Sequence, residues 1–214
     1  MKPARKYKME EGAMIDTEWA FNRYETVRAL LPQADFPQRS RIGQDLNDTV
    51  ADFDAYILDA FGVLNRGETA IAGAIERMAA LRALGKQLVV LTNAASYTRN
   101  EVLAKYHRLG FDFDASEVVS SRDLAFAGLP VLPSGRIWAA AAAEGDNFSD
   151  APENVQIEHL AENPALLREA GGFILLSSAR WSQRDTEALT EALLTNPRPL
   201  IVANPDLVAP REDG

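Results

Sequence analysis

The apolar positions of the chain follow two patterns, short continuous runs and runs with helical spacing. The continuous runs predict strands at 54–58, 87–91, 118–120, 173–177 and 199–203. The helical spacing predicts helices that begin at Ile71, Ser96, Asn163 and Ser182. A strand, a helix and a further strand in this order form a right-handed parallel crossover. The pattern therefore predicts an α/β fold with parallel sheets.

The first 45 residues differ from this alternation and predict a separate arm. Residues 1–15 predict a disordered tail with no apolar run. Asp16 is a candidate N-cap for a helix whose apolar positions run from Trp19 to Leu31, and Pro32 ends that helix. The sequence leaves open whether this arm packs on the core or on a second subunit.

Composition narrows the classes of function. The chain has 214 residues and 47% hydrophobic residues, enough for a substantial core, and it lacks Cys, which excludes disulfides, thiolate metal sites and a Cys nucleophile. Its formal net charge of −9 disfavours binding to nucleic acid. The sequence contains neither a secretory signal nor an apolar run long enough to cross a membrane. We therefore expect a cytoplasmic protein that binds neither nucleic acid nor a membrane.

Candidate chemistry lies where the predicted strands end. Asp59 follows the first core strand, with Gly62 three residues later, and Thr92-Asn93 follows the second. Ligands of open α/β sheets bind outside the carboxyl ends of the strands. Each motif alone has an ordinary structural explanation: a turn at Asp59, a helix cap at Thr92-Asn93, and a turn at the later Asn204-Pro205-Asp206.

Together the three motifs resemble the haloacid dehalogenase (HAD) superfamily, and most closely its subfamily IIA of NagD-like and 4-nitrophenylphosphatase-like proteins. The resemblance implies a Rossmann-like core with a parallel sheet and an inserted α/β cap of the C2 type. It predicts core at 46–123, cap at 124–206 and a return to the core at 207–214. It also favours a cap strand within 137–143, although the alanines there have helix propensity.

The resemblance implies roles for individual residues. Asp59 would be the nucleophile, and its carboxylate and the backbone carbonyl of Phe61 would contact Mg²⁺. Gly62 would let the loop bend sharply beside the ligand. Thr92 and Asn93 would bind the phosphate of a small phosphorylated substrate, and Asn204 and Asp206 would approach the same ligand.

The chain departs from the family pattern at Phe61, where most phosphatases of the superfamily have a second Asp that acts as general acid and base. Such assistance is commonly worth about 10²–10⁴-fold in rate. The chain also ends before the Lys loop and the acidic metal loop of the family. We therefore expect a truncated chain that binds Mg²⁺ poorly and whose core sheet has an unpaired edge, which is a route to a homo-oligomer.

Three functions remain open. The first is a HAD-like hydrolase of a phosphorylated metabolite, and the second is a catalytically weak or inactive binding or regulatory protein. A nucleotide-binding Rossmann protein is the weakest, since the first strand–helix turn lacks Gly-x-Gly-x-x-Gly. The isolated His107 and His159 predict no metal site, and Trp138 and Trp181 are expected to pack within the cap.

Overall fold

The computed structural model describes residues 16–133 and 135–206, so the predicted N-terminal tail and the return segment lie outside the described residues. The helices are α1 (Thr17–Val27), α2 (Ala74–Ala83), α3 (Arg99–Leu109), α4 (Ser121–Ala127), α5 (Leu166–Glu169) and α6 (Gln183–Thr195). The strands are β1 (Ala55–Leu58), β2 (Asn65–Arg66), β3 (Thr69–Ala70), β4 (Gln87–Thr92), β5 (Val118–Ser120), β6 (Trp138–Ala141), β7 (Ile157–His159), β8 (Gly172–Leu175) and β9 (Leu200–Val202). None of the described helices has the length and apolarity needed to cross a membrane.

The N-terminal arm has the predicted cap and the predicted stop. The Asp16 side chain accepts a hydrogen bond of 2.8 Å from the Trp19 N–H, which satisfies one free donor of the first turn. Beyond α1, a 3₁₀ turn at Arg28–Leu30 carries the helix close to Pro32. Ala20 is the buried residue of α1, whereas Phe21 is 63% exposed. The described residues therefore leave most of the apolar side of this helix uncovered.

The core sheet is parallel, in the order β1-β4-β5, with α2 connecting the first pair and α3 the second. The register pairs Leu58 with Val90 and Val90 with Val118. These side chains belong to one buried cluster, which also contains Leu64 and Leu81. The predicted parallel connection of strand, helix and strand is therefore confirmed.

Both core helices begin about three residues later than predicted. A residue with positive φ, Gly73, precedes α2, and Gly85, also at positive φ, follows its end as predicted. For α3 the first turn is set by a capping box, in which Thr98 and Glu101 each bond the other's backbone N–H. Local capping chemistry, and not the first apolar residue, fixes where these helices start.

The apolar run of the first strand, β1, is consistent with a buried central strand, but within the described residues β1 is an edge strand, as the expected unpaired edge of the core sheet requires. No described strand pairs with its outer side. Its burial alternates, with Tyr56 and Leu58 buried while Ile57 is 73% exposed. The prediction of burial on both faces is therefore wrong for the part of the chain that the structure describes, because no described element covers the second face.

The cap is a second parallel sheet, in the order β7-β6-β8-β9, with helices on both faces. Ala139 and Phe173 face α5 and α6, and Ala140 and Ile174 face α4. All four residues of β6 are buried, which confirms a strand in the Ala-rich segment. Small side chains suit this position because the central strand is covered from both sides.

Three elements of the cap differ from the predictions. The sequence analysis missed β7 and α4, although Ser120 and Asp123 form a capping box at the start of α4. The short helix expected at 163–167 begins instead at Leu166 and lacks a side-chain cap. Three-residue strands and one- or two-turn helices carry too few apolar positions for their period to be recognised.

The contact between β6 and β8 gives a stability prediction. Gly172 is paired with Trp138, and a Cβ at Gly172 would lie 2.6 Å from Cζ3 of that buried indole. We expect Gly172→Ala to lower the free energy of unfolding by about 1–3 kcal/mol, because the packed ring cannot move aside freely. Urea unfolding would measure the change. Gly43→Ala is the control, since its Cβ would lie 3.3 Å from the exposed side chain of Asp48. Equal losses for both variants would contradict the prediction.

Candidate active site

The predicted nucleophile, Asp59, lies directly after β1 and is exposed. One carboxylate oxygen, Oδ1, accepts a hydrogen bond of 2.7 Å from the Ala60 N–H. The other oxygen has no hydrogen-bond partner among the described residues. The side chain is therefore oriented by its own loop, with one oxygen left available to a ligand.

The loop after Asp59 is anchored through its backbone. The Ala60 carbonyl accepts hydrogen bonds from the N–H groups of Leu64 and Asn65, at 2.8 and 3.1 Å. Gly62 has φ of 85°, a left-handed conformation that glycine adopts without strain, and donates to the Asn65 carbonyl at 2.8 Å. Leu64 is completely buried and fixes the turn to the core. The half-buried Phe61 lies within this turn, and no described N–H donates to its carbonyl.

Thr92 ends β4 and is buried, so its hydroxyl lies inside the loop that follows. Thr92 Oγ1 accepts a hydrogen bond of 3.2 Å from the Ala94 N–H, and the hydroxyl of Tyr106 on α3 lies near the same side chain. Burial raises the pKa of Tyr106 to about 12, and the charge of Asp59 acts in the same direction, against the Thr92 hydrogen bond. A neutral phenol therefore lies beneath both predicted site residues.

The segment after Thr92 presents backbone donors. Within the described part of the chain, no acceptor pairs with the N–H groups of Asn93, Ala95 and Ser96. Two of its carbonyls are held by the start of α4: Ser121 Oγ donates to the Asn93 carbonyl at 3.0 Å, and Arg122 Nη1 donates to the Ala95 carbonyl at 3.3 Å. Successive backbone N–H groups left unpaired in this way form a concavity that favours anions. We call residues 92–96 the phosphate loop.

The third motif meets the second in space. Asn93 Nδ2 donates to both carboxylate oxygens of Asp206, at 3.0 and 3.2 Å, across 113 positions of sequence. Asn204 Oδ1 accepts the Asp206 N–H at 2.9 Å and so forms the tight turn around Pro205. The turn predicted at Asn204-Pro205-Asp206 is thus present, and it orients the Asp206 carboxylate towards Asn93 of the core.

Three residues that shape this site, Tyr106, Ser121 and Arg122, were not among the residues that the sequence analysis singled out. The pattern Ser120-x-x-Asp123 would have located the start of α4. Nothing in the sequence indicates that this first turn contacts the phosphate loop.

A crevice of about 130 Å³ lies in the cap at the carboxyl ends of β6 and β8. Its lining includes Ser177, Arg180 and Trp181. The half-buried Trp181 packs against the cap cluster as predicted, and its indole also borders this crevice and donates to Thr186 Oγ1 at 2.9 Å. Trp138, by contrast, is buried as predicted.

Comparison with known proteins agrees with the resemblance to the haloacid dehalogenase superfamily. Residues 56–148 match the family model of haloacid dehalogenase-like hydrolases. A glycerol-3-phosphate phosphatase from Gallus gallus is 34% identical over 154 residues, which cover 71% of this chain and 47% of that protein. The chain thus spans about half the length of this curated relative.

Two solved structures share the fold. One is a possible sugar phosphatase of the HAD superfamily from Cytophaga hutchinsonii, with a TM-score of 0.68 and 22% identity over 78% of this chain and 60% of that one. The other is glycerol phosphate phosphatase from Mycobacterium tuberculosis in complex with magnesium, with a TM-score of 0.58 and 20% identity over 77% of this chain and 48% of that one. With its parallel core sheet and α/β cap, the chain belongs to the haloacid dehalogenase-like hydrolases.

Proposed function

We propose that this chain contributes the nucleophile and the phosphate loop of a phosphatase for a small phosphate monoester. The observation that carries the proposal is the position of Asp59, whose carboxylate has one unpaired oxygen at the end of β1. The neighbouring strand, β4, leads into the unpaired N–H groups of the phosphate loop. A nucleophile beside a cluster of anion-binding donors suits attack on a phosphoryl group.

The chemistry assigned to Asp59 proceeds in two steps. A carboxylate oxygen attacks phosphorus, forming an acyl phosphate while the bond from phosphorus to the ester oxygen breaks. The departing alkoxide takes a proton from solvent water, and a further water then attacks phosphorus, breaks its bond to the carboxylate oxygen and releases inorganic phosphate with the carboxylate restored. Throughout, the N–H groups of Asn93, Ala95 and Ser96 would bind the phosphoryl oxygens, whose charge they partly offset.

Mg²⁺ is the cation proposed for this site. The Asp59 carboxylate and the Phe61 carbonyl are hard oxygen donors of the kind that Mg²⁺ binds. The described residues contain no group of three His, Cys, Asp or Glu side chains that could hold a metal, so these two oxygens are a partial donor set. When bound, the ion would neutralise charge on the transferring phosphoryl group.

The substrate class follows from the relatives and from the cap. A relative and a solved structure are named as phosphatases of glycerol phosphate, and relatives from Arabidopsis thaliana as chloroplastic phosphoglycolate phosphatases. We therefore propose a two- or three-carbon phosphate monoester as substrate. The exposed Arg180 at the cap crevice has a charge suited to the carboxylate of phosphoglycolate, a group that glycerol phosphate lacks.

A HAD-fold binding or regulatory protein remains the second candidate. The observation that favours it is Phe61, which lies in the nucleophile loop where an acid would protonate the leaving group. A phenyl ring cannot transfer a proton, and the loss of such assistance costs about 10²–10⁴-fold in rate. The two candidates differ in turnover but share phosphate binding.

Replacing the nucleophile tests the proposed reaction. Asp59→Asn retains the shape of the side chain but removes the attacking carboxylate. We expect release of inorganic phosphate from glycerol 3-phosphate or phosphoglycolate to fall by roughly 10³-fold or more, since loss of a nucleophile removes the covalent route. A colorimetric phosphate assay in the presence of Mg²⁺ would measure it.

Asp54→Asn is the matched control, because this exposed carboxylate lies just before the opposite end of the same strand and forms an ion pair with Lys86 at 3.5 Å. It should retain wild-type turnover. Turnover of Asp59→Asn near the wild-type rate would contradict the assignment. A wild-type protein that binds inorganic phosphate yet releases none from any monoester would favour the binding protein.

Restoring an acid in the nucleophile loop gives a second test. We expect Phe61→Asp to raise the turnover number by about 10²-fold, because the new carboxyl can protonate the leaving oxygen. Phe61→Asn is the control of equal shape without a transferable proton, and it should give no gain. Equal rates for the two variants would show that the position does not limit turnover.

A further inference from the structure

Arg122 is a buried charge that the proposed reaction does not use. It belongs to the first turn of α4 and has no exposed surface. Each of its five N–H donors is hydrogen-bonded within the protein: Nε to Asp150, Nη1 to Asp146 and the Ala95 carbonyl, and Nη2 to both carboxylates. This guanidinium therefore has no donor left for a substrate.

The partners of Arg122 come from the two sides of the molecule. Asp146 and Asp150 lie in the connection between β6 and β7 of the cap, 2.6–2.9 Å from the guanidinium nitrogens. The Ala95 carbonyl belongs to the phosphate loop and is 3.3 Å from Nη1. One side chain thus joins the cap to the loop that carries the anion-binding N–H groups.

Holding a carbonyl fixes the N–H group that follows it. The peptide bonds of the described chain are trans, so the Ser96 N–H points away from the Ala95 carbonyl and therefore away from Arg122. Ser121 Oγ holds the Asn93 carbonyl in the same way, and the Ala94 N–H that follows it donates to Thr92 Oγ1. The two held carbonyls thus fix the shape of the loop, and the Ser96 N–H is left free on its other side.

Stability alone is a weak reason for this cluster. Burial would lower the pKa of Arg122, but the hydrogen bonds to Asp146 and Asp150 outweigh it and the pKa is raised. Arg122 therefore stays charged in the interior, and the desolvation of buried ion pairs often cancels their attraction. Replacing all the charged groups of such a cluster together by well-packed apolar side chains is often neutral for stability, whereas removing one partner alone is destabilising. The cluster is therefore better explained by what it positions.

We infer that Arg122 is a positioning residue, which holds the Ala95 carbonyl so that the phosphate loop keeps its N–H groups directed at a phosphate. The inference rests on the proposed function, because it assumes that residues 92–96 bind the phosphoryl group. Arg122 acts through the loop and makes no contact with the ligand. Its two cap carboxylates make the shape of the loop depend on the cap.

Arg122→Met tests this role, since Met fills a similar volume without any donor. We expect the dissociation constant for inorganic phosphate, measured by isothermal titration calorimetry, to rise about tenfold, in line with misplaced hydrogen-bond donors. The KM for glycerol 3-phosphate should rise in parallel, while kcat falls less. Arg122→Lys should restore part of the affinity, because one ammonium can reach some but not all of the partners.

Arg198→Met is the matched control. Arg198 also donates to backbone carbonyls, those of Ala170 and Leu167, and lies 4.7 Å above the Phe173 ring, much as Arg122 lies 4.9 Å above Phe126. It has no contact with the phosphate loop. Both Met variants should lower the melting temperature, but Arg198→Met should leave the phosphate dissociation constant unchanged. An unchanged constant in folded Arg122→Met would overturn the inference.

Ser121→Ala provides the test if Arg122→Met does not fold, since it removes only the hydroxyl that holds the Asn93 carbonyl. It should weaken phosphate binding severalfold with little change in melting temperature, and unchanged binding would overturn the inference. Failure of the proposed function is distinguishable. If wild-type protein binds phosphate but hydrolyses no monoester, the proposed phosphatase activity is wrong. The phosphate dissociation constants of wild type and Arg122→Met can still be compared in that case. Wild-type protein that binds no phosphate overturns the inference itself.

Discussion

A loop that binds an anion through its backbone is subject to one constraint on which the rest of this site depends. Its N–H groups must stay unpaired until the ligand arrives, so its carbonyls must be satisfied elsewhere. In this chain the start of α4 meets that need, with Ser121 and Arg122 bonding the carbonyls of Asn93 and Ala95. The conformation of the phosphate loop is therefore fixed by side chains on the side facing α4, which would not contact the ligand.

The same logic applies on the side of the nucleophile. Asp59 projects from an edge strand whose outer side has no described partner, yet its loop is held by the buried Leu64 and by three hydrogen bonds to the Ala60 carbonyl. Tyr106 lies near both loops, and burial raises its pKa to about 12, well above the range in which a phenol would ionise. This buried side chain therefore adds no charge beside the Asp59 carboxylate.

The sequence could predict those elements that have a clear hydrophobic period or a local capping motif. Strands such as β4 and β8 have continuous apolar runs, and the polar residues at their ends follow from parallel topology, so Asp59, Thr92 and Asn93 could be placed at one edge. Neither the contact of Asn93 with Asp206 nor that of Arg122 with Ala95 could be predicted. Both join segments that are distant in sequence, and a buried Arg looks in sequence like any exposed charge.

These long-range contacts make the cap part of the proposed phosphate site. Ala95 belongs to the same buried cluster as Trp138 and Ile174 of the cap sheet, so the loop that follows Thr92 is packed on the cap. Asp206 at the end of β9 and Arg122 at the start of α4 hold that loop at two points. A change in cap position would therefore reach the phosphate donors directly. In a capped hydrolase of this build, recognition of the substrate's organic part and of its phosphate are expected to be energetically coupled.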